Sequence, residues 1–549
     1  MNRIFPLVCL FVSISVATAY GQQPENIASS ATGAQGAVAA GRQTAVAAGI
    51  EILRGGGNAV DAAVATILAQ SVVKSRSFCF GGEVPIIVYN AQRDVIEVLC
   101  GQGAAPKLAT LEWFQKNKDG KIPRGDPAGA TVPAVLHACL TALDRHGTMT
   151  FAQVSGPMLR ALDRDEPAWN GDLARHVKRA IEAESRAADR KRGLAAVTDY
   201  FHRGPAARQL AEWSAENGGL IRYEDLANHV TRIEEPLAVE YRGFTIYKCG
   251  PWTQGPCLLQ TLRLLEGFDL KSLGRDNTDY IHTVVEALKL ALADRDTYYA
   301  DPLHVDVPIQ QLLSDDYTTL RRSLIDGEKA SHEQRPGDPR AGKALLGISP
   351  EAYQVPAGPD NDTTTCLVAD RWGNVVAATP SGWGGVVAGR TGIVLGTRLI
   401  SLNTWKGHPN CIAPGKRPRI TLTPTLVFKD GKPVFAISVA GGDLQDQTTL
   451  QVLLNYIEFG CDPTKAVTAA RFSTAHHIGS FNQPPPQLGS LSVNPGISDN
   501  VMSELASRGH DINKVNGAIA MPIAISINPQ TGQFHAAGDP RAGRHAAAY

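Results

Sequence analysis

The chain has 549 residues, 43% of them hydrophobic, with 53 lysines and arginines balanced by 53 aspartates and glutamates. This supplies a large core, suggests roughly two to four domains or one large α/β unit, and excludes a global field that would draw in nucleic acid. No partner of that kind is expected, and a charged ligand must be met locally.

The first segment, Met1-Asn2-Arg3 followed by an apolar stretch over 4–17 and the small-residue site Ala17-Thr18-Ala19, reads as a secretory signal (1–19) cleaved after Ala19. It is too short to span a bilayer, and no later uninterrupted apolar run of about 18 residues follows, so an exported protein without a membrane span is expected, periplasmic or secreted. Past the signal remain Cys79, Cys100, Cys139, Cys249, Cys257, Cys366, Cys411 and Cys461. Export permits disulfides, but none forms a Cys-x-x-Cys pair, and they read as small buried apolar residues.

Residues 20–35 are small and polar and read as a disordered lead-in, followed by an alanine-rich helical pattern over 39–53 that stops at Gly55-Gly56-Gly57. A second helix starts near Asn58, so rich in small residues that neighbouring backbones can approach it closely. Strands are predicted at 85–90 and 95–99, helices at 134–146, over much of 172–188, and at 280–300. The stretch 326–344, rich in charge, glycine and proline, reads as a mobile surface segment. Strand signals then become dense, at 367–369, 375–379, 424–428 and 434–439.

Between these halves lies Asp362-Thr363-Thr364-Thr365-Cys366. A threonine hydroxyl is a weak nucleophile in mid-chain. Placed first in a polypeptide, it sits beside its own α-amine, whose pKa of about 8 lets it serve as base near neutral pH. The plainer alternative is that the threonines lead into a strand. No phosphate loop, Gly-x-Ser-x-Gly elbow or His-Glu-x-x-His signature is present, and the adjacent His476-His477 points its rings in different directions, so no metal or other cofactor is called for.

A series of blocks in order resembles the γ-glutamyltransferase (glutathione hydrolase) family of N-terminal nucleophile hydrolases. These are Gly56-Gly57-Asn58-Ala59-Val60-Asp61-Ala62-Ala63; Pro236-Leu237 with Tyr241-Arg242-Gly243; Leu264-Leu265-Glu266-Gly267-Phe268; and Tyr280-Ile281-His282 with Glu286-Ala287-Leu288-Lys289 and Asp294-Arg295. Thr363-Thr364 with Asp370 and Gly373-Asn374, Lys416-Arg417-Pro418, Gly441-Gly442 and Gly538-Asp539-Pro540-Arg541 complete the series. The resemblance implies an α/β fold, the αββα four-layer sandwich, made as one precursor that cuts itself between Asp362 and Thr363. It would yield a large subunit of 20–362 and a small catalytic subunit of 363–549. It also implies catalytic roles for Thr363 as nucleophile, Gly441 and Gly442 as the oxyanion site, and Ser381 as a second hydroxyl beside the nucleophile, with Thr379 two residues before it.

The set that grips a γ-glutamyl group departs from the family pattern. Trp383 stands where an asparagine is expected, Arg398 where a neutral amide is, Ser401 where an acidic residue is, and Ile420-Thr421 where two serines are. The segment Phe78-Cys79-Phe80-Gly81-Gly82-Glu83 is also altered, and no carboxylate-binding arginine is evident near Cys100-Gly101. Substrate-binding positions are therefore Thr379, Trp383, Arg398 and Thr421, with Arg390 and Arg398 available to a carboxylate or oxalyl group. The family includes oxamate amidohydrolases and cephalosporin acylases, so the expected partner is a small-molecule amide or peptide with a non-standard acyl group. A true glutathione hydrolase, and an uncleaved relative that binds amides without turnover, are the alternatives.

Overall fold

The computed structural model describes residues 27–73, 75–164, 169–347, 363–382 and 385–549. Two seven-stranded sheets form its centre. The first runs, in spatial order, His545–Ala548, Gly36–Ala40, Cys366–Asp370, Val375–Ala378, Ile86–Asn90, Val95–Cys100 and Arg232–Glu234, every neighbour antiparallel. The second runs Ser30–Gly33, Phe534–Gly538, Met521–Ile527, Lys432–Ala440, Thr425–Lys429, Phe244–Lys248 and Leu237–Tyr241, again all antiparallel, so the lead-in expected to be disordered is corrected over 30–33, where pairing with Phe534–Gly538 orders it as an edge strand.

Strand alternation sorts the side chains into three apolar layers. On Cys366–Asp370, Cys366 and Val368 face the helices Gln43–Arg54 and Ala59–Val73, while Leu367 and Ala369 face the other sheet. On Lys432–Ala440, Phe435, Ile437 and Val439 face Gly255–Leu265, Thr278–Tyr298 and Leu444–Ile457, and Ala436 points inward. The inter-sheet layer joins Ala37, Ala39, Ile87, Leu367, Ala369, Ala377, Leu426, Ala436 and Ile523. The result is an αββα sandwich. Among the described residues no helix is long and apolar enough to cross a membrane.

The helix Ala59–Val73 is buried along nearly its whole length, as its small residues suggest. Asn58 caps it, its side chain accepting from Val60 N at 2.9 Å and Asp61 N at 3.1 Å. Asp61 in turn accepts from Thr148 and Met149. The helix expected over 39–53 is corrected at its start, because Gly36–Ala40 is a strand and the helix begins at Gln43. Alanine favours helix, but Ala37 to Ala40 are fully buried between two neighbouring strands, where small side chains fit and packing overrides propensity. The stretch 326–344 is irregular but pinned: Lys289 Nζ donates to Ser331 O at 3.0 Å, and Gly337 N to Asp294 at 2.8 Å. Of the eight cysteines among the described residues, six are buried.

Candidate active site

Thr363 stands just ahead of the strand Cys366–Asp370, and that strand is held hard at its far end. Asp370, 1% exposed, accepts from Ala59 N (2.7 Å), Trp372 N (2.9 Å), Asn374 N (3.0 Å) and Asn374 Nδ2 (2.8 Å). Burial is the largest influence on its carboxyl and raises its pKa despite those four donors.

At the near end Thr363 is 2% exposed and pairs with Ser381, and Thr364 N donates to Pro380 O at 2.9 Å. Ser381 is clamped from its other side, exchanging backbone hydrogen bonds with Glu83 at 2.9 and 3.0 Å. The clamp needs glycine at position 82, since a Cβ there would lie 2.2 Å from Ser381 O. These pairings set the Thr363 and Ser381 hydroxyl oxygens 3.2 Å apart.

Arg398 supports the pair from behind. Its Nη2 donates to Ser381 Oγ at 2.5 Å and its Nε to Glu83 Oε1 at 2.6 Å, while its guanidinium lies 5.1 Å from the centre of the Phe481 ring. The sequence expectation was that Arg398 holds a substrate carboxylate; here it contacts Glu83 and Ser381. Its charge is met by Glu83, and its fork is turned onto Ser381. Arg390, the other arginine considered for that task, is exposed to solvent.

Gly441 and Gly442 follow the strand Lys432–Ala440 with φ of 141° and 56°, a backbone path that favours glycine. Ser438, three residues before Gly441, donates to Ala378 O at 2.8 Å and lies 3.0 Å from Thr379 Oγ1. That inter-sheet contact brings the glycine pair to the end of the sandwich that holds Ser381 and Thr363. Thr379, predicted to touch substrate, spends its hydroxyl on this staple. Thr421, the other such threonine, is fully buried, and its carbonyl accepts from the Gln445 amide at 3.0 Å. Trp383 and Asp362 lie outside the described residues.

The turn after the glycines is fixed by Arg295, fully buried in the helix Thr278–Tyr298. It donates to Asp443 at 2.6 Å, to Gln254 Oε1 at 2.8 Å and to Asp296 at 2.7 and 2.9 Å. Ser480 adds two bonds to Asp443. Burial alone would raise the Asp443 pKa; Arg295, then His477 and Arg419, hold it well below the usual carboxylate range. An open series of contacts results, from Gly442 and Asp443 through Ser480 and Phe481 to Arg398, Ser381 and Thr363. Sequence reading noticed that the Glu83 and Arg398 segments were unusual but missed that they pair. The signal was there, as two opposite charges introduced at two departures from one pattern.

The αββα sandwich of two antiparallel sheets between helices is the fold of the N-terminal nucleophile hydrolases. The Gamma-glutamyltranspeptidase family profile matches residues 45–183 and 190–549, and the chain belongs to that family. It is 31% identical to a glutathione hydrolase proenzyme of Escherichia coli (strain K12) over 92% of this chain and 90% of that one. It is also 31% identical to the acylase ACY 1 proenzyme of Pseudomonas sp. (strain SE83), over 91% of each. The solved cephalosporin acylase from Bacillus halodurans superposes with a TM-score of 0.80 at 26% identity, covering 98% of this chain and 99% of that one.

Proposed function

We propose that this protein is an exported, self-processing amidohydrolase that cleaves an amide through an acyl-enzyme on Thr363, and that its acyl group is not a standard γ-glutamyl. The observation that carries the nucleophile is the placement of Thr363, which pairs with Ser381, has its hydroxyl 3.2 Å from that of Ser381, and lies at the Gly441–Gly442 end of the sandwich. In self-processing, Thr363 Oγ attacks the carbonyl of residue 362, the peptide C–N bond breaks to leave an ester and a free α-amine, and water hydrolyses the ester. In turnover the freed amine takes the hydroxyl proton as Oγ attacks the substrate carbonyl. The amine product leaves with a proton, and water releases the acid and restores Thr363. The Gly441–Gly442 turn supplies backbone donors for the oxyanion of each tetrahedral intermediate.

Two features support a changed acyl group. Ser401 occupies the position where the resemblance calls for an acidic residue, and the carboxylates Glu83 and Asp443 are already committed to arginines. A substrate ammonium would be desolvated there without a free acidic partner, which costs several kcal/mol. Two of the similar proteins are named acylases rather than glutathione hydrolases.

The test is intact mass and N-terminal sequencing of the mature protein beside Thr363→Ala. Two fragments in the wild type, the smaller starting at Thr363, against one chain in the variant are expected. A folded wild type that stays uncut overturns the reading. Turnover of a γ-glutamyl anilide at rates typical of glutathione hydrolases would overturn the acyl-group part alone.

A further inference from the structure

Arg398 divides its donors between two partners. Nε holds Glu83 Oε1 at 2.6 Å, and Nη2 holds Ser381 Oγ at 2.5 Å. Glu83 and Ser381 are fully buried, and Arg398 and Thr363 are nearly so. The backbone leaves this arrangement little room to change. Gly81 N donates to Val394 O at 2.9 Å and Gly396 N donates to Gly81 O at 3.2 Å, which stitches the segment carrying Glu83 to the one that leads into Arg398. Ser381 is tied to Glu83 through both backbone groups. A planar guanidinium anchored on a carboxylate between these segments meets Ser381 already oriented.

Donor chemistry then gives the hydrogen bonds a direction. A guanidinium carries donors only, so toward Arg398 the Ser381 oxygen is an acceptor. The single Ser381 hydroxyl hydrogen is thereby turned away from Arg398, and Thr363 Oγ1 stands 3.2 Å from Ser381 Oγ. With Ser381 as donor, Thr363 Oγ1 accepts and its own hydrogen is left to depart. A neutral amide in place of Arg398 would impose no such direction, because its carbonyl end could take the Ser381 hydrogen for itself.

Resting on the reading of Thr363 as nucleophile, we propose that Arg398 is a positioning residue for self-processing, fixing the Ser381 hydroxyl as a donor to Thr363 Oγ1 in the precursor, where Thr363 has as yet no free amine. In that step Oγ1 bonds to the carbonyl carbon of residue 362, the C–N bond breaks, and the hydroxyl proton ends on the departing nitrogen. Oγ1 takes on negative charge along the way. A hydrogen bond from Ser381 shortens and strengthens as that charge develops, the more so with a buried cation polarising the donor. Glu83 keeps the guanidinium in place and balances its charge.

The experiment times the first cut and needs no substrate. Full-length precursor is made by cell-free synthesis, and loss of the uncut chain is followed on gels. The chains compared are the wild type, Arg398→Lys, the neutral pair Glu83→Gln with Arg398→Gln, Ser381→Ala, and Ser381→Ala combined with each of the Arg398 changes. The neutral pair should slow cutting about fivefold, and R398K, which keeps the charge and a donor but loses the fork, only about twofold. In the Ser381→Ala background either change should slow cutting by less than about 1.5-fold, because Arg398 acts through that hydroxyl. Equal slowing in the two backgrounds is the mark of a merely structural role and would overturn the proposal, as would undiminished cutting by the neutral pair. Should the neutral pair not fold, R398K decides alone, and cutting at the wild-type rate would overturn the proposal. A folded wild type that is never cut would overturn the nucleophile reading itself, an outcome distinct from cutting that ignores Arg398.

Discussion

The two ends of the strand that carries the nucleophile are built on opposite rules. At Asp370 every donor in reach is satisfied, with four hydrogen bonds converging on one buried carboxylate from the cap of a helix and a tight turn. At Thr363 to Thr365 the hydroxyls crowd without being paired off. Thr364 Oγ1 and Thr365 Oγ1 are buried without partners, and among the described residues the Thr363 hydroxyl has its 3.2 Å approach to Ser381. One end fixes the strand in space, while the other keeps polar capacity in reserve. Buried polar groups are normally satisfied, so the under-use at this end sets it apart from the saturated end at Asp370.

The contrast can be broken at its strong end. Asp370→Ala removes the acceptor for four buried donors, each costing about 1–3 kcal/mol when orphaned, so a loss of at least about 3 kcal/mol is expected in urea unfolding. A midpoint unchanged from the wild type would mean that the strand is anchored elsewhere. A smaller effect belongs to the weak end. Ser381→Ala removes a hydroxyl that stands 3.2 Å from that of Thr363 and should slow both self-processing and turnover about tenfold, near 1.4 kcal/mol, as followed by gel densitometry over time and by initial rates. The smallest is Thr365→Val, which discards an unpartnered hydroxyl at nearly constant shape. Its unfolding free energy should stay within about 1 kcal/mol of the wild type or rise, because nothing is left unpaired. A loss comparable to that of Asp370→Ala would erase the difference between the ends.

Much of this was legible in the sequence because it rests on local pattern. Alternating apolar residues reported Ile86–Asn90 and Lys432–Ala440, and helical spacing reported Val135–His146 and Thr278–Tyr298, each near its true bounds. Asn58 and Asp61 were readable as part of a motif, but their reason was not. They cap a buried helix and stitch it to the turn at Thr148, a contact 87 residues away. The strand Gly36–Ala40 was misread because alanine speaks for helix until two neighbouring strands are known to enclose it. At the site, Thr363, Ser381 and the glycine pair could be named from order along the chain. The Glu83–Arg398 pair spans 315 positions, and no spacing rule reports it.

The sheet order described above has a mechanical meaning. Gly36–Ala40 lies between Cys366–Asp370 on one side and His545–Ala548 on the other, so a thread from before Thr363 is woven between two threads from after it. The same interlacing joins Ile86–Tyr89 to Val375–Ala378, Ser30–Gly33 to Phe534–Gly538, and Thr245–Tyr247 to Leu426–Phe428. Opening the backbone before Thr363 would free one amine and release no fragment, because pulling the halves apart means tearing both sheets along their length. A nicked enzyme of this kind inherits a fabric assembled while it was still one strand of yarn. Its halves, once unravelled by denaturant, have lost the tether that kept each ladder's partners within reach of one another.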